Sequence, residues 1–250
     1  MTFPFVAPIV RADRPLVLGH RGASADAPEN TLASFRLAME QGADGVELDA
    51  WRCATGEVVV IHDESTARTC GEELLVPEAT LARLRALDAG ALRGARFRGE
   101  RIPLLAEVLE ALPDAIVNVE LKARRGRPDA ALAVEVARLV AAAGAARRVV
   151  ISSFDFGLVA ALRRAAPALA TALLFEDAWH WRLRVPLAVA RLRPSALHPE
   201  RRLCTRARIA GWRARGLGVA AWTVDDPAEA GRLARDGATA VVTNAPRAIG

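Results

Sequence analysis

Cysteine is scarce in this sequence, and the patterns that cysteine usually supports are absent. Cys53, Cys70 and Cys204 are odd in number and widely spaced. This arrangement fits neither a disulfide framework nor a zinc cluster. We therefore expect a protein of a reducing compartment, the cytoplasm.

Long apolar runs are also missing. A membrane-spanning helix needs about 20 consecutive apolar residues, and Arg, Pro or an acidic residue interrupts every such stretch here. The first 15 residues lack a basic start, and Pro4 and Pro8 break their apolar part, which predicts no export signal. We expect no membrane insertion. With 250 residues and 52% hydrophobic content, one domain spanning residues 1–250 is the simplest organisation.

Lysine occurs only once, at Lys122, although lysine and arginine together number 34. The net charge of +5 could suggest nucleic acid, but the arginines are scattered along helical stretches without a basic-aromatic module. We predict a solvated arginine-rich surface and no nucleic-acid partner. Because arginine serves almost everywhere else, Lys122 indicates a position that needs a compact ammonium group.

Short apolar runs alternate with stretches of helical period, which is typical of parallel strands joined by helices. The predicted strands are Leu16–Gly19, Asp44–Leu48, Ala115–Leu121, Arg148–Ser152, Ala170–Phe175, Ser195–Leu197, Leu217–Trp222 and Thr239–Thr243. The predicted helices are Asn30–Gln41, Asp129–Ala143, Phe156–Ala166, Arg182–Leu192, Thr205–Arg215 and Pro227–Arg235. This pattern predicts an α/β fold, a (β/α)8 TIM barrel, whose active site lies at the carboxyl ends of the strands.

The region after the second predicted strand departs from this alternation of strands and helices. Trp51–Ile61 contains a Thr55-Gly56 turn signal between two strand-like runs and has no room for a helix. If the turn has two residues, His62 lies opposite Asp49. The following residues, 63–103, are rich in charge and glycine, and we interpret them as a small inserted cap between the second and third barrel strands.

Acidic residues cluster at two neighbouring strand ends. Glu47 and Asp49 are two apart and share the inward face of a strand, and Glu120 and Lys122 repeat this spacing on the next barrel strand. Three carboxylates favour a hard ion, Mg²⁺ or Ca²⁺. The alternative is a structural network of ion pairs that also includes Arg21.

Histidines at the same end of the barrel favour catalysis over that alternative. His20 ends the first strand, and His62 returns to the carboxylates through the hairpin. Two imidazoles can act as general acid and general base, while Arg21 and Lys122 bind phosphate oxygens. Since an alkoxide leaving group needs a proton donor, this set predicts phosphodiester cleavage.

Three further residues are candidates for supporting roles. Asn30 is interpreted as the N-cap of the first helix, and Glu29 as a partner of the site residues. His198 is a candidate for the lining of the substrate pocket.

The segments HRGASADAPENTLASF, VELDAW, VVVIHDESTART, VNVELKAR, AAWTVDD and ATAVVTNAP occur in this order along nearly the whole chain. Together they make the sequence resemble the glycerophosphodiester phosphodiesterase family, with most similarity to its cytoplasmic bacterial branch. The resemblance implies that Glu47, Asp49 and Glu120 bind the metal and that His20 and His62 are the general acid and base. It also implies that Arg21 and Lys122 hold the phosphate and that Trp222 packs on the glycerol side.

The expected reaction is metal-dependent hydrolysis of glycerophosphodiesters to sn-glycerol 3-phosphate and an alcohol such as choline or ethanolamine. Two alternatives remain open at this point. One is a lysophospholipase D, which needs an apolar groove for an acyl chain, and Leu74, Leu75, Val76, Leu81 and Leu84 of the insertion could supply one. The other is a non-catalytic barrel that binds phosphorylated ligands. The sequence leaves the oligomeric state open.

Overall fold

Eight parallel strands form a closed barrel in the computed structural model, which describes residues 14–124, 128–177 and 181–249. In chain order the strands are β1 (Leu16–His20), β2 (Gly45–Arg52), β3 (Val58–Val60), β4 (Ile116–Leu121), β5 (Val149–Ser153), β6 (Ala170–Phe175), β7 (Ala196–Pro199), β8 (Gly218–Ala221) and β9 (Ala240–Thr243). Strand β1 pairs in parallel with both β9 and β2, which closes the ring. Only β3 stands outside it, antiparallel to β2. The predicted (β/α)8 barrel is confirmed.

Most helices cover the outside of the barrel, while the second and third lie within residues 63–103. The helices are α1 (Leu32–Glu40), α2 (Ala67–Cys70), α3 (Leu81–Arg85), α4 (Leu105–Ala111), α5 (Ala130–Ala142), α6 (Phe156–Ala165), α7 (Trp181–Leu192), α8 (Arg206–Arg213), α9 (Pro227–Arg235) and α10 (Pro246–Ile249). Helix α4 is not among the predicted helices, because its 7 residues directly follow the insertion and are too few to show a clear helical period. In the described ranges, none of the helices combines the length and apolar character needed to cross a membrane.

The two faces of each barrel strand have different surroundings. Val46 and Leu48 face outward into the apolar layer beneath the helices, and the alternation of strand side chains turns Glu47 and Asp49 inward. Deeper in the barrel, β5, β6 and β7 fill the interior with one valine and alanines: Val150, Ala170, Ala172 and Ala196. This small-residue layer plugs the barrel and leaves its upper end to polar groups.

The hairpin register differs from the prediction by one residue. Ala50 pairs with Val60 and Arg52 with Val58, and the amide of Cys53 donates to the carbonyl of Glu57 at 2.9 Å. The turn therefore has three residues, 54–56, and Gly56 adopts a φ of 104° within it. Asp49 lies opposite Ile61, whose amide donates to the Asp49 carbonyl, so the predicted pairing of Asp49 with His62 is wrong.

Residues 63–103 pack mainly against the hairpin and the loop that follows β1. Val76, Leu84 and Ile102 are buried together with Trp51 and Val59 in one apolar cluster. On the other side, the Arg93 guanidinium donates to the carbonyls of Ser24 and Ala25, both at 2.8 Å. The insertion is thus attached next to the carboxyl ends of β1 and β2. That it acts as a cap over the site stays a prediction.

Candidate active site

Three buried carboxylates meet at the carboxyl ends of β2 and β4. The two strands are neighbours in the barrel, with Asp49 in register with Glu120. Glu47, Asp49 and Glu120 each offer an oxygen, and these atoms lie within 4.8 Å of one another. Such a set of carboxylate oxygens matches the preference of Mg²⁺ and Ca²⁺ for hard ligands. The predicted acidic cluster is therefore present as one group.

Two cations neutralise part of this cluster. The Lys122 ammonium lies 2.9 Å from Asp49 Oδ1 and 2.7 Å from Glu120 Oε1, and Arg21 Nε lies 3.4 Å from Asp49 Oδ2. Burial alone would lower the pKa of Lys122, but Asp49 and Glu120 raise it above its usual value, so the ammonium stays charged. For Asp49, the Lys122 and Arg21 charges outweigh burial and hold the pKa well below its usual value.

Glu47 is the carboxylate that these two cations neutralise least. Among the described residues its recorded polar neighbours are the Arg21 amide, which donates to Oε2 at 3.1 Å, and His20 Nε2 at 4.0 Å. Burial, together with Asp49 and Glu120, raises the pKa of Glu47 well above its usual value. Burial also raises the pKa of Glu120, to about 7, despite Lys122. The cluster therefore has room for one more positive charge, and its ligand atoms fit a divalent ion.

Asn30 has a different role from the predicted one. The N-cap of α1 is Thr31, whose side chain accepts from the Ser34 amide, so the interpretation of Asn30 as the cap is wrong. Asn30 instead has a φ of 57° and donates through Nδ2 to Asp49 Oδ2 at 2.8 Å. In return, the Asp49 amide donates to Asn30 Oδ1 at 3.3 Å. This side chain fixes the carboxylate of Asp49.

His20 is held by an amide at the end of β9. Its Nδ1 lies 2.7 Å from Asn244 Oδ1, while Asn244 Nδ2 donates to Asp225 Oδ2 at 2.7 Å. Because the amide nitrogen is used by Asp225, Asn244 can only accept from His20, and Nδ1 must carry the proton. Burial and the Arg21 charge lower the pKa of His20. The basic nitrogen left for the site is Nε2.

His62 is held by a carboxylate instead. Its Nδ1 donates to Asp63 Oδ1 at 2.6 Å, and Arg68 Nε donates to Asp63 Oδ2 at 2.5 Å. Two further nitrogens of Arg68 donate to Glu29, both at 2.7 Å. Burial lowers the pKa of His62, whereas Asp49 and Asp63 raise it and partly offset this effect. His62 also leaves Nε2 for the site.

Glu29 links this arrangement to Arg21. Arg21 donates through a terminal nitrogen to Glu29 Oε1 at 3.0 Å, so Glu29 bridges two guanidinium groups. The prediction of Glu29 as a partner of site residues is confirmed. Asp63 and Arg68 were missed by the sequence analysis, although Asp63 directly follows His62.

A cavity of about 420 Å³, partly open to solvent, joins these groups. Apart from Asp49, which lies beneath its surface, every predicted site residue lines the cavity: His20, Arg21, Glu47, His62, Glu120, Lys122, His198 and Trp222. Phe154, which the sequence did not indicate, lines it too and packs edge-on against the Trp222 ring, with centroids 5.5 Å apart.

The deeper cavity wall carries two buried polar groups, Asn118 and His198. Within the described part of the chain, Asn118 Oδ1 and His198 Nδ1 have no hydrogen-bond partner. Burial lowers the pKa of His198 to about 4, so this imidazole is neutral near neutral pH. Trp222 Nε1 donates to the His198 carbonyl at 2.8 Å, which connects this wall to the rim.

Known proteins share both the sequence pattern and the fold. The model of the glycerophosphoryl diester phosphodiesterase family matches residues 20–248. A glycerophosphodiester phosphodiesterase of Caldanaerobacter subterraneus is 34% identical over 242 residues, which cover 94% of this chain and 96% of that protein.

Two solved structures agree with this. An Oleispira antarctica phosphodiesterase in complex with its product, sn-glycerol-3-phosphate, has a TM-score of 0.84 at 28% identity and covers 94% of this chain and 95% of its own. A glycerophosphodiester phosphodiesterase of Agrobacterium tumefaciens has a TM-score of 0.80 at 29% identity, with 94% of this chain and 98% of its own covered.

Proposed function

Because the chain belongs to the glycerophosphoryl diester phosphodiesterase family, we propose that it hydrolyses glycerophosphodiesters to sn-glycerol 3-phosphate and an alcohol by metal-dependent acid-base catalysis. The observation that carries this proposal is the pocket that combines a buried acidic triad with two histidines. The product bound to the Oleispira relative supports the same product here.

Glu47, Asp49 and Glu120 would hold the metal ion, Mg²⁺ or Ca²⁺. The donor set fits such an ion because it consists of carboxylate oxygens within 4.8 Å of one another. A divalent ion bound there supplies positive charge to the phosphate oxygens. Lys122 would then have two roles. It neutralises Asp49 and Glu120, and as a residue of the pocket lining it can donate a further hydrogen bond to the substrate.

The environments of the two histidines suggest how they divide the proton transfers. A carboxylate partner stabilises the charged imidazolium more than an amide does. Asp63 is such a partner for His62, whereas His20 has Asn244. We assign His62 as the general acid that protonates the leaving alkoxide, and His20 as the general base. The base takes a proton from the nucleophile, either water or a neighbouring glycerol hydroxyl.

Phosphate and glycerol contacts follow from the lining of the pocket. Arg21 lies between Asp49 and Glu29, so its guanidinium is held in place to meet a phosphate oxygen. Trp222 and His198 lie on one side of the cavity and would contact the glycerol part of the substrate. An imidazole whose Nδ1 has no partner among the described residues suits a hydroxyl group.

The lysophospholipase D alternative receives little support from the insertion. Val76 and Leu84 are fully buried, and Leu74 and Leu81 pack against the same cluster. Of the five apolar residues named for an acyl groove, only Leu75 is notably exposed, at 38%. These side chains are used in the small core that the insertion shares with the hairpin, so they offer no groove for an acyl chain.

Cys53, Cys70 and Cys204 form no disulfide among the described residues. The reducing compartment and the cytoplasmic location stay predictions.

Product formation and metal dependence test this function together. Purified protein should convert sn-glycero-3-phosphocholine to sn-glycerol 3-phosphate, measured by coupling to glycerol-3-phosphate dehydrogenase. Chelation should abolish turnover, and added Mg²⁺ or Ca²⁺ should restore it. His20→Ala and His62→Ala should each lower kcat by about 10²–10⁴-fold without loss of the fold, as checked by circular dichroism. Turnover that survives chelation, or full activity of either variant, would refute the proposal.

A further inference from the structure

A second groove opens beside the catalytic pocket. It encloses about 930 Å³, part of it open solvent, and shares Glu120, Lys122 and Phe154 with the pocket. From there it runs along residues 121–124 and the start of α6 to Arg184 of α7. A phosphodiester has two alcohol substituents, which leave the phosphorus in different directions. If the phosphate lies at Lys122 and the glycerol beside Trp222, this groove is the space for the second alcohol.

Most of the charges that line the groove are already paired. The Glu120 carboxylate binds Lys122, and Asp155 Oδ1 accepts from the amides of Gly157 and Leu158 at the start of α6. Arg124 pairs with two carboxylates of the insertion, those of Glu64 and Glu78. Each of these groups therefore already has a partner within the protein.

Arg184 differs from them. Among the residues that the structure describes, no carboxylate forms an ion pair with it, and its guanidinium lies over the Phe156 ring, 5.5 Å from the centroid. Arg184 is exposed at the outer end of the groove. Arg184 thereby covers a face of the Phe156 ring that could otherwise contact a quaternary ammonium group. At its outer end the groove thus offers a guanidinium that no described carboxylate pairs with.

We propose that this groove binds the alcohol part of the substrate and that Arg184 favours alcohols which carry an anionic group of their own, a carboxylate or a second phosphate. The assignment rests on the proposed phosphodiesterase function. A guanidinium binds both anions through charge-assisted hydrogen bonds. The same guanidinium repels a cationic alcohol such as choline.

The test compares kcat/KM on three substrates: sn-glycero-3-phosphoserine, a deacylated cardiolipin with a second phosphate, and sn-glycero-3-phosphocholine. Arg184→Ala should lower kcat/KM about fivefold on the two anionic substrates, as for an exposed charge pair of about 1 kcal/mol. Choline substrate turnover should stay the same or rise. Arg184→Glu should enlarge the loss of kcat/KM on the two anionic substrates and favour the choline substrate further. A loss for one anionic substrate alone would tell whether the carboxylate or the phosphate is the recognised group, and either result supports the groove.

Arg182→Ala is the matched control, because Arg182 lies on the same helix and over the Trp181 ring, 5.8 Å from its centroid, and does not line the groove. It should leave all three values unchanged. Arg184 variants that affect the three substrates equally would overturn the inference while the phosphodiesterase function stands. Wild-type protein that turns over none of them would overturn the function and the inference with it.

Discussion

The two histidines that we propose as acid and base are held by different parts of the molecule. His20 bonds to Asn244 at the end of β9, so the barrel itself fixes it. His62 bonds to Asp63, which Arg68 of the inserted segment holds in turn. One imidazole therefore has a neutral amide partner on the barrel, and the other has a carboxylate partner whose position depends on the insertion. This difference in partners is the reason why we assign opposite roles in proton transfer to two like side chains in one pocket.

The largest effect is expected where the charge of a histidine partner is removed. Asp63→Asn should lower kcat about 100-fold, since the amide no longer stabilises a charged His62 or fixes its tautomer as firmly. Asn244→Ala should cost only about tenfold, because water can accept the proton of His20 Nδ1. Steady-state kinetics on one substrate provides both values. The reverse order would contradict the assigned roles.

The pH profile of Asp63→Asn sharpens this prediction. Asp63 raises the pKa of His62 against the effect of burial, so the variant should have a lower His62 pKa. A general acid works only while it is protonated. The alkaline limb of the kcat profile should therefore move to lower pH in Asp63→Asn, and an unmoved limb would speak against His62 as the acid.

A smaller effect is expected from the arginine behind Asp63. Arg68→Ala leaves the bond between His62 and Asp63 in place but removes the donors to Asp63 and Glu29. The expected loss in kcat is about tenfold, since charged hydrogen bonds of this kind contribute about 1.5 kcal/mol. Arg83→Ala, which removes a 3.4 Å ion pair between exposed residues of the same insertion, is the control and should keep full activity. Equal kcat values for Arg68→Ala and Arg83→Ala would contradict the proposed role of Arg68.

His198 extends the comparison to a histidine without a partner at Nδ1. The unfolded chain takes up this proton near the ordinary value of 6.5, but the folded chain does so only at about 4. Between these pH values the unfolded state binds more protons, so stability falls as the pH falls from 6.5 to 4. Between these pH values, the free energy of unfolding measured in urea should fall by about 3 kcal/mol less in His198→Asn than in the unmodified protein. The same pH dependence in both proteins would mean that His198 is not buried as a neutral group.

The sequence predicted the barrel and the site because both depend on short-range patterns. Apolar runs with helices between them fix the strand order, and a spacing of two places Glu47 beside Asp49 and Glu120 beside Lys122. The lone lysine also indicated a special position, and in the structure Lys122 contacts two carboxylates.

Other features depend on geometry that no local pattern contains. The Thr55-Gly56 signal does not reveal whether a turn has two or three residues, so the hairpin register was wrong by one. By residue type Asn30 is the better cap of the two and Thr31 an acceptable one, and only the approach of β2 brings Asn30 to Asp49. Arg68 and Glu29 are 39 residues apart, and Phe154 reaches the pocket from the loop after β5. Such contacts arise from tertiary packing alone.

The most direct test of the proposed proton transfers changes the leaving group. A diester of glycerol 3-phosphate with p-nitrophenol releases a phenolate that needs no protonation, whereas sn-glycero-3-phosphocholine releases an alkoxide that does. If His62 is the acid, His62→Ala should regain most of its activity on the nitrophenyl diester, and His20→Ala should stay inactive on both substrates. Rescue of His20→Ala instead, or of neither variant, would contradict this assignment.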